Sequence, residues 1–183
     1  NQTYKNWRLY IVDDNSDDSS KKILKQYLRN KKINIFFLKK NRGPGYCRNY
    51  GISKSKSKLI AFLDSDDLWL KDKLNLQIQF MHKFKSLFTY TDYISFYQRN
   101  LSKKIIGKTN IVKNLNFKNF IKNSSINTST MIISRKLIKN IKFKDLIKLE
   151  DYIFKCEILK KNKNLSALKC PKVTAYYRLL KQA

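Results

Sequence analysis

Residues Leu59–Leu63 form an unbroken apolar run that ends directly in Asp64-Ser65-Asp66-Asp67. A short continuous run of this kind reads as a strand buried on both faces, as in a parallel sheet covered by helices. No Lys or Arg lies between Leu59 and Leu70, although the chain carries 40 of them. Three carboxylates crowded at the end of a buried strand repel one another, which leaves two readings. A divalent cation such as Mg²⁺ or Mn²⁺ relieves the repulsion through hard oxygen ligands that also suit phosphate. Alternatively, the Asp-rich turn caps a helix starting near Lys71.

The preceding residues supply neighbours for such a strand. Trp7–Val12 is strand-like and runs into Asp13-Asp14-Asn15-Ser16-Asp17-Asp18. Ser19 or Ser20 can cap a helix to about Asn30, with Ile23, Leu24, Tyr27 and Leu28 on one face. Ile33–Leu38 reads as a second strand; a turn at Asn41–Gly45 and a short helix to about Ser53 follow. The order β-α-β-α-β predicts parallel strands with right-handed crossovers. In such sheets ligands bind beyond the carboxyl ends of the strands. The two acidic clusters share that rim and hold seven of the chain's 13 acids, which favours a metal-nucleotide site over a plain capping turn.

Further along, Lys71–Phe84 has Leu74, Ile78 and Met81 at helical spacing. Leu87–Phe96 is strand-like, and Asn100–Asn114 is a polar, basic loop or weak hairpin. A short helix is expected at Asn116–Lys122, a strand at Asn127–Ser134, and a last strand at Val173–Tyr177. Glu150–Leu159 reads as a helix whose first-turn acids suit the helix dipole. No repeat or linker divides the 183 residues, so a single domain with a real core is expected.

Composition excludes several classes. The formal net charge of +27 is scattered along the chain, as on a solvated Lys-rich surface. Its functional reading is attraction to anions: nucleic acid, nucleotides or an acidic membrane face. No basic-aromatic repeat suggests a single-strand-binding platform. Cys47, Cys156 and Cys170 are odd in number and form no Cys-x-x-Cys, so neither a disulfide frame nor a zinc site is indicated. Reduced thiols fit a cytosolic setting. His82 is the only histidine, which excludes Ser-His-Asp chemistry and His-rich metal sites. No apolar run approaches the roughly 20 residues of a membrane helix, and no signal-peptide pattern opens the sequence.

Four motifs in order carry a resemblance: Val-Asp-Asp-Asn-Ser (12–16), Asn-Arg-Gly-Pro-Gly-Tyr-Cys-Arg-Asn-Tyr-Gly-Ile (41–52), Leu-Asp-Ser-Asp-Asp (63–67) and Leu-Glu-Asp-Tyr (149–152). Together with the closing Ala-Tyr-Tyr-Arg (175–178), they resemble bacterial family 2 glycosyltransferases of the GT-A fold. That resemblance implies an α/β, Rossmann-like, mostly parallel sheet flanked by helices. Residues 1–99 would form its nucleotide-binding half and 100–183 its acceptor-side half. It implies that Asp14 binds the base, with Asp13 near the ribose and Arg48 close to the nucleotide. Asp64, Ser65 and Asp66 form the Asp-x-Asp segment. Asp66, Asp67 and Asp64 would hold Mn²⁺ or Mg²⁺ on the diphosphate. Asp151 matches the base of inverting members, preceded by Glu150. The implied partners are a nucleotide-sugar donor and a glycan or lipid-linked acceptor, with no nucleic acid. The implied location is cytoplasmic, in peripheral contact with the anionic inner membrane face, in polysaccharide or lipopolysaccharide synthesis.

The family normally begins one strand and one helix earlier. The expectation is therefore an inactive fragment of a longer reading frame, with a gap between Trp7–Val12 and Leu59–Leu63 where the first strand would lie. A rival resemblance is to a response-regulator receiver domain, with Leu9–Asn15 as its first strand and Asp64 as phosphoacceptor. The absence of Met-Pro after Asp64 and of regular units after Phe84 counts against it. A basic nucleic-acid-binding module is a third reading, resting on charge alone.

Overall fold

A computed structural model describes residues 1–99, 102–109, 113–146 and 148–179, the side chains of 98, 99, 102 and 103 excepted. The first half begins β-α-β. Strand β1 (Leu9–Asp13) pairs in parallel with β2 (Ile33–Phe37), across helix α1 (Ser20–Lys25). Helix α2 (Gly43–Lys54) lies against β1, where Gly51 leaves room for Val12, and Tyr50 meets Phe36 edge-on at 5.4 Å. Helix α1 is shorter than its apolar pattern predicts. None of its residues is buried, and beyond it Tyr27 and Leu28 are exposed.

The second sheet has the order β3-β7-β5-β8-β4, with β6 beside β5. Its strands are β3 (Leu59–Ala61), β4 (Leu68–Trp69), β5 (Phe88–Arg99), β6 (Ser102–Lys108), β7 (Ile132–Ser134) and β8 (Leu168–Arg178). Only β5 and β8 run parallel here; the other pairings are antiparallel, so the architecture is α/β with a mixed sheet. The β-α-β rule gives β1 and β2 correctly, but long antiparallel returns build the second half. Strands β1 and β3 do not pair with each other and belong to separate sheets. Strand β3 is therefore an edge strand, not one buried on both faces, and Leu63 at its end is 42% exposed.

Helix α3 (Lys73–Lys83) buries Leu74, Ile78 and Met81 as its spacing predicts. Its first turn lacks a side-chain cap of its own. Gln2 supplies one from far away: its Oε1 accepts the Leu74 N–H (3.1 Å), and its Nε2 donates to Leu70 O (2.9 Å). Helix α4 (Phe117–Asn123) is capped locally by Asn116. Helix α5 (Glu150–Lys161) carries its acids in the first turn and buries Phe154, Ile158 and Leu159. The expected strand at Asn127–Ser134 divides. Its first half is a 3-10 turn at Thr128–Thr130, because Asn127 caps Ser129 N–H and folds the chain before β7 begins. The basic stretch Asn100–Asn114 contains β6; residues 100–101 and 110–112 lie outside the described residues.

The main core packs Phe88, Tyr90, Met131 and Ile133 of the sheet region against Phe154 and Ile158 of α5. Phe62, Phe143 and Phe154 form an aromatic trio, with Phe143 and Phe154 stacked at 3.8 Å between centroids. Each such pair contributes about 0.5–1.5 kcal/mol beyond area burial. Phe62 immediately precedes Leu63-Asp64, so the trio anchors the acidic turn to the foot of α5.

Beneath this layer Lys73 is wholly buried and donates to Gln77 Oε1 (2.7 Å), Thr130 O (3.0 Å) and Thr174 Oγ1 (3.5 Å). Burial pulls its ammonium down from 10.5 to about 7. Between those values the unfolded chain binds the extra proton, so stability rises with pH across that window. Urea unfolding of wild type and Lys73→Met, at about pH 7 and about pH 9.5, should show wild type gaining stability relative to the variant at the higher pH. A constant difference between the two proteins would mean that native Lys73 keeps its proton throughout.

Candidate active site

Four sequence-distant segments meet at the carboxyl ends of β1 and β3 and the start of α5. At the first, Asp14 reaches the opening of α2, where Oδ1 accepts from Arg42 N (2.8 Å) and Oδ2 from Gly43 N (2.7 Å). These N–H groups have no partner within the helix, so the carboxylate satisfies the helix end and its dipole. Gly43 holds φ +81°, a conformation that favours glycine. Asp13 is buried; Oδ2 accepts from Ser16 N (2.9 Å), while Oδ1 is buried with no hydrogen-bond partner among the described residues. Close by, burial and then the charge of Asp14 push the Cys47 thiol up to about 12.

At the centre, Arg48 of α2 donates to Asp64 Oδ1 (2.7 Å) and to Glu150 Oε1 (2.6 Å). Burial works against its charge, but the two carboxylates outweigh burial and hold the guanidinium above its ordinary value. Repulsion in the acidic turn is thus relieved in part by an arginine from another helix. Gly45 makes this approach feasible. A Cβ there would stand 2.9 Å from Lys144 O and 3.2 Å from Glu150 Cγ.

The Asp64–Asp67 turn is held from two sides. Asp64 N donates to Ser129 Oγ (3.0 Å). Asp67 Oδ1 accepts from Arg178 N (3.0 Å), and Arg178 Nε donates to Asp66 O (2.7 Å). Asp67 is buried, its Oδ2 lacks a partner among the described residues, and burial raises its pKa. Ser65 and Asp66 are exposed. Asp66 has no side-chain hydrogen bond or ion pair among the described residues, which leaves its carboxylate available to a cation. Among those residues no three His, Cys, Asp or Glu side chains form a metal cluster, so Asp64, Asp66 and Asp67 do not make a three-carboxylate cage. The donor set still fits Mg²⁺ or Mn²⁺, which commonly take one or two carboxylates and complete their shell with substrate phosphates and water.

At α5 the two acids diverge. Glu150 turns to Arg48, while Asp151 Oδ2 accepts from Thr128 Oγ1 (2.8 Å) and Lys155 Nζ (2.7 Å). Burial alone would raise the Asp151 pKa, but Lys155 and Thr128 outweigh it and hold the carboxyl below its ordinary value. Lys155 itself is buried, which lowers its pKa against the pull of Asp151. Leu149, just before, has φ +65° and is 64% exposed; a strained backbone position of this kind is characteristic of functional sites. Sequence reasoning singled out Asp13, Asp14, Arg48, Asp64, Ser65, Asp66, Asp67, Glu150 and Asp151. It missed Thr128, Ser129 and Lys155, and gave Arg178 no role although Arg178 closes the Ala-Tyr-Tyr-Arg motif. The i,i+4 spacing of Asp151 and Lys155 was a further local signal.

Comparisons with known proteins bear on this arrangement. The family model described as Glycosyl transferase family 2 matches residues 1–160. The chain belongs to glycosyl transferase family 2. It is 33% identical over 179 residues to the UDP-Glc:alpha-D-GlcNAc-diphosphoundecaprenol beta-1,3-glucosyltransferase WfgD of Escherichia coli, covering 97% of this chain and 68% of that protein. It is 31% identical to the putative teichuronic acid biosynthesis glycosyltransferase TuaG of Bacillus subtilis, covering 98% of this chain and 70% of that protein. Among solved structures, S. aureus TarS 1–349 in complex with UDP superposes with a TM-score of 0.76 at 21% identity, over 97% of this chain and 53% of that one. This likeness establishes the GT-A fold; the family 2 chain spans about half the length of that structural relative. No described helix is long and apolar enough to cross a membrane.

Gly45→Ala tests the close approach of α2 to Glu150. It should destabilise the protein by about 1–3 kcal/mol in urea unfolding, the usual cost of overpacking. Unchanged stability would show that the Lys144 backbone moves aside freely.

Proposed function

We propose that this chain is the catalytic domain of an inverting glycosyltransferase that moves a sugar from a nucleoside-diphosphate sugar, a UDP-sugar in the first instance, to a lipid-linked or glycan acceptor in cell-surface polysaccharide synthesis. The observation that carries the reading is the Arg48 bridge. It fixes the end of β3 against the start of α5, so the acids of the Asp-x-Asp segment and those of the Glu-Asp pair occupy one rim. In this reading residues 1–99 serve chiefly the donor and 100–183 the acceptor. The named substrates of WfgD, a UDP-linked glucose donor and a diphosphoundecaprenol-linked acceptor, support the choice of both classes.

The chemistry assigns work to each residue. Asp13 and Asp14 line the nucleoside end, with Arg48 close to the donor. Asp66, with Asp64 beside it, would hold Mn²⁺ or Mg²⁺, and the ion supplies positive charge to the departing diphosphate. Asp67 is buried and clamped by Arg178, so its work is to shape the turn. Asp151 takes the proton from the acceptor hydroxyl as that oxygen attacks the anomeric carbon opposite the leaving diphosphate, which inverts the centre. Its carboxyl, held below the ordinary value, is ionised at neutral pH. Glu150 orients Arg48. The +27 charge would draw the protein to the anionic cytoplasmic membrane face, where a lipid-linked acceptor resides.

Two measurements test this. Calorimetric titration of UDP should show tighter binding with Mn²⁺ than with chelator, and Asp66→Asn should remove most of the difference. Asp151→Asn should leave UDP binding nearly intact while lowering turnover by about 10²–10⁴, the usual contribution of a general base. Equal UDP affinity with and without Mn²⁺ rejects the metal assignment; undiminished turnover in the Asp151 variant rejects the base.

A further inference from the structure

The residues that hold the two sets of acids come from one short turn. Thr128, Ser129 and Thr130 are 3%, 0% and 0% exposed. The turn closes on itself: Asn127 Oδ1 accepts from Ser129 N (2.8 Å), and Asn127 O accepts from Thr130 Oγ1 (2.7 Å). From below, Lys73 Nζ and Gln77 Nε2 both donate to Thr130 O, each at 3.0 Å. From the donor side, Asp64 N donates to Ser129 Oγ (3.0 Å), and Trp69 Nε1 donates to Ser129 O (2.7 Å). From the acceptor side, Thr128 Oγ1 donates to Asp151 Oδ2 (2.8 Å). Lys155 completes that corner, donating to Asp151 Oδ2 (2.7 Å) and to Ile126 O (2.8 Å), just ahead of the turn.

We infer that the Asn127–Thr130 turn is a positioning element of the reaction, in which Ser129 sets the place of the cation-binding Asp64–Asp67 turn and its neighbour Thr128 fixes the carboxylate of the base. The inference rests on the glycosyl-transfer reading above. Its physical basis is that two adjacent residues of one buried, internally bonded turn share a rigid backbone. Whatever they hold is therefore held at a fixed mutual spacing. Spacing matters because the acceptor oxygen must meet the anomeric carbon in line with the departing diphosphate, and small misplacements of reacting groups cost rate steeply. Both Thr128 and Lys155 use Oδ2 of Asp151, which directs proton uptake to Oδ1. Neither Thr128 nor Ser129 touches substrate in this account; each acts through the carboxylate or amide it holds.

A purely structural turn and a positioning turn differ in how their variants divide. Ser129→Ala should weaken UDP binding in the presence of Mn²⁺ by about tenfold, the worth of one hydrogen bond in a charged setting, with a smaller effect on turnover at saturating donor. Thr128→Val should do the reverse: UDP–Mn²⁺ affinity close to wild type, and kcat lower by about tenfold. Thr128→Ser, which keeps the hydroxyl, should restore kcat. Identical losses of binding and turnover in both variants, or loss of melting temperature alone, overturn the proposal. So does a Thr128→Ser variant as slow as Thr128→Val. Asp151→Asn separates this from failure of the underlying reading. If Asp151→Asn turns over normally while Ser129→Ala still weakens UDP, the base assignment fails and the Thr128 half falls with it, leaving Ser129 as the established positioning residue.

Discussion

Arg48 places one guanidinium between Asp64 and Glu150, two carboxylates 86 residues apart in sequence, at 2.7 and 2.6 Å. For a half-buried arginine with a single partner, desolvation of the pair would tend to cancel its attraction. With two carboxylates the fork is filled on both sides, and their charge outweighs burial and holds the guanidinium above its ordinary value. The rest of the site depends on this contact. Without it Asp64 loses its ion-pair partner, and the first turn of α5 loses its tie to α2. Phe143 lies beneath the guanidinium at 5.3 Å and belongs to the aromatic trio that packs Phe62 against Phe154. The charged bridge therefore stands on an apolar footing, and each fixes the other's geometry.

Around that bridge the acids are sorted by environment. Asp14 satisfies a helix end, Asp67 is buried and clamped, and Asp66 is exposed and uncommitted. Asp151 is kept ionised by a buried lysine. Similar carboxylates thus acquire different work from burial and from which donors reach them. This division suits the proposed transfer, in which one acid would meet a cation and another would accept a proton. The mixed sheet makes it possible, because β8, antiparallel to β4, brings Arg178 back to the turn, while Thr128 and Ser129 stand just ahead of β7.

Sequence patterns located most elements because their cause is local. The β-α-β start, the buried face of α3 at Leu74, Ile78 and Met81, and the first-turn acids of α5 all depend on residues a few positions apart. The ordered acidic motifs carried the family for the same reason. Readings that depended on a partner elsewhere in the chain went astray. The apolar face of α1 finds nothing described to bury it, and β3 is an edge strand with Leu63 exposed. The segment Asn127–Ser134 has the β-branched composition of a strand, yet an Asn cap turns its first half into a 3-10 turn. Side-chain-to-backbone bonds of this kind compete with strand pairing on nearly equal terms, and composition does not decide between them.

The sequence by itself determined which chemistry was available: a run of carboxylates at strand ends, one histidine, no zinc or disulfide pattern, and the spacing that marks family 2. Tertiary structure alone decided how those carboxylates are balanced. In sequence the turn at Asp64–Asp67 has no cation within reach. In space Arg48 pairs with Asp64, and Arg178 binds the backbone and carboxylate beside it. It also decided that Lys155 and Thr128 reach Asp151 and hold its carboxyl below its ordinary value. The physical reason is that electrostatic energy depends on through-space distance and on local desolvation. Neither is encoded by separation along the chain until the sheets and helices have packed.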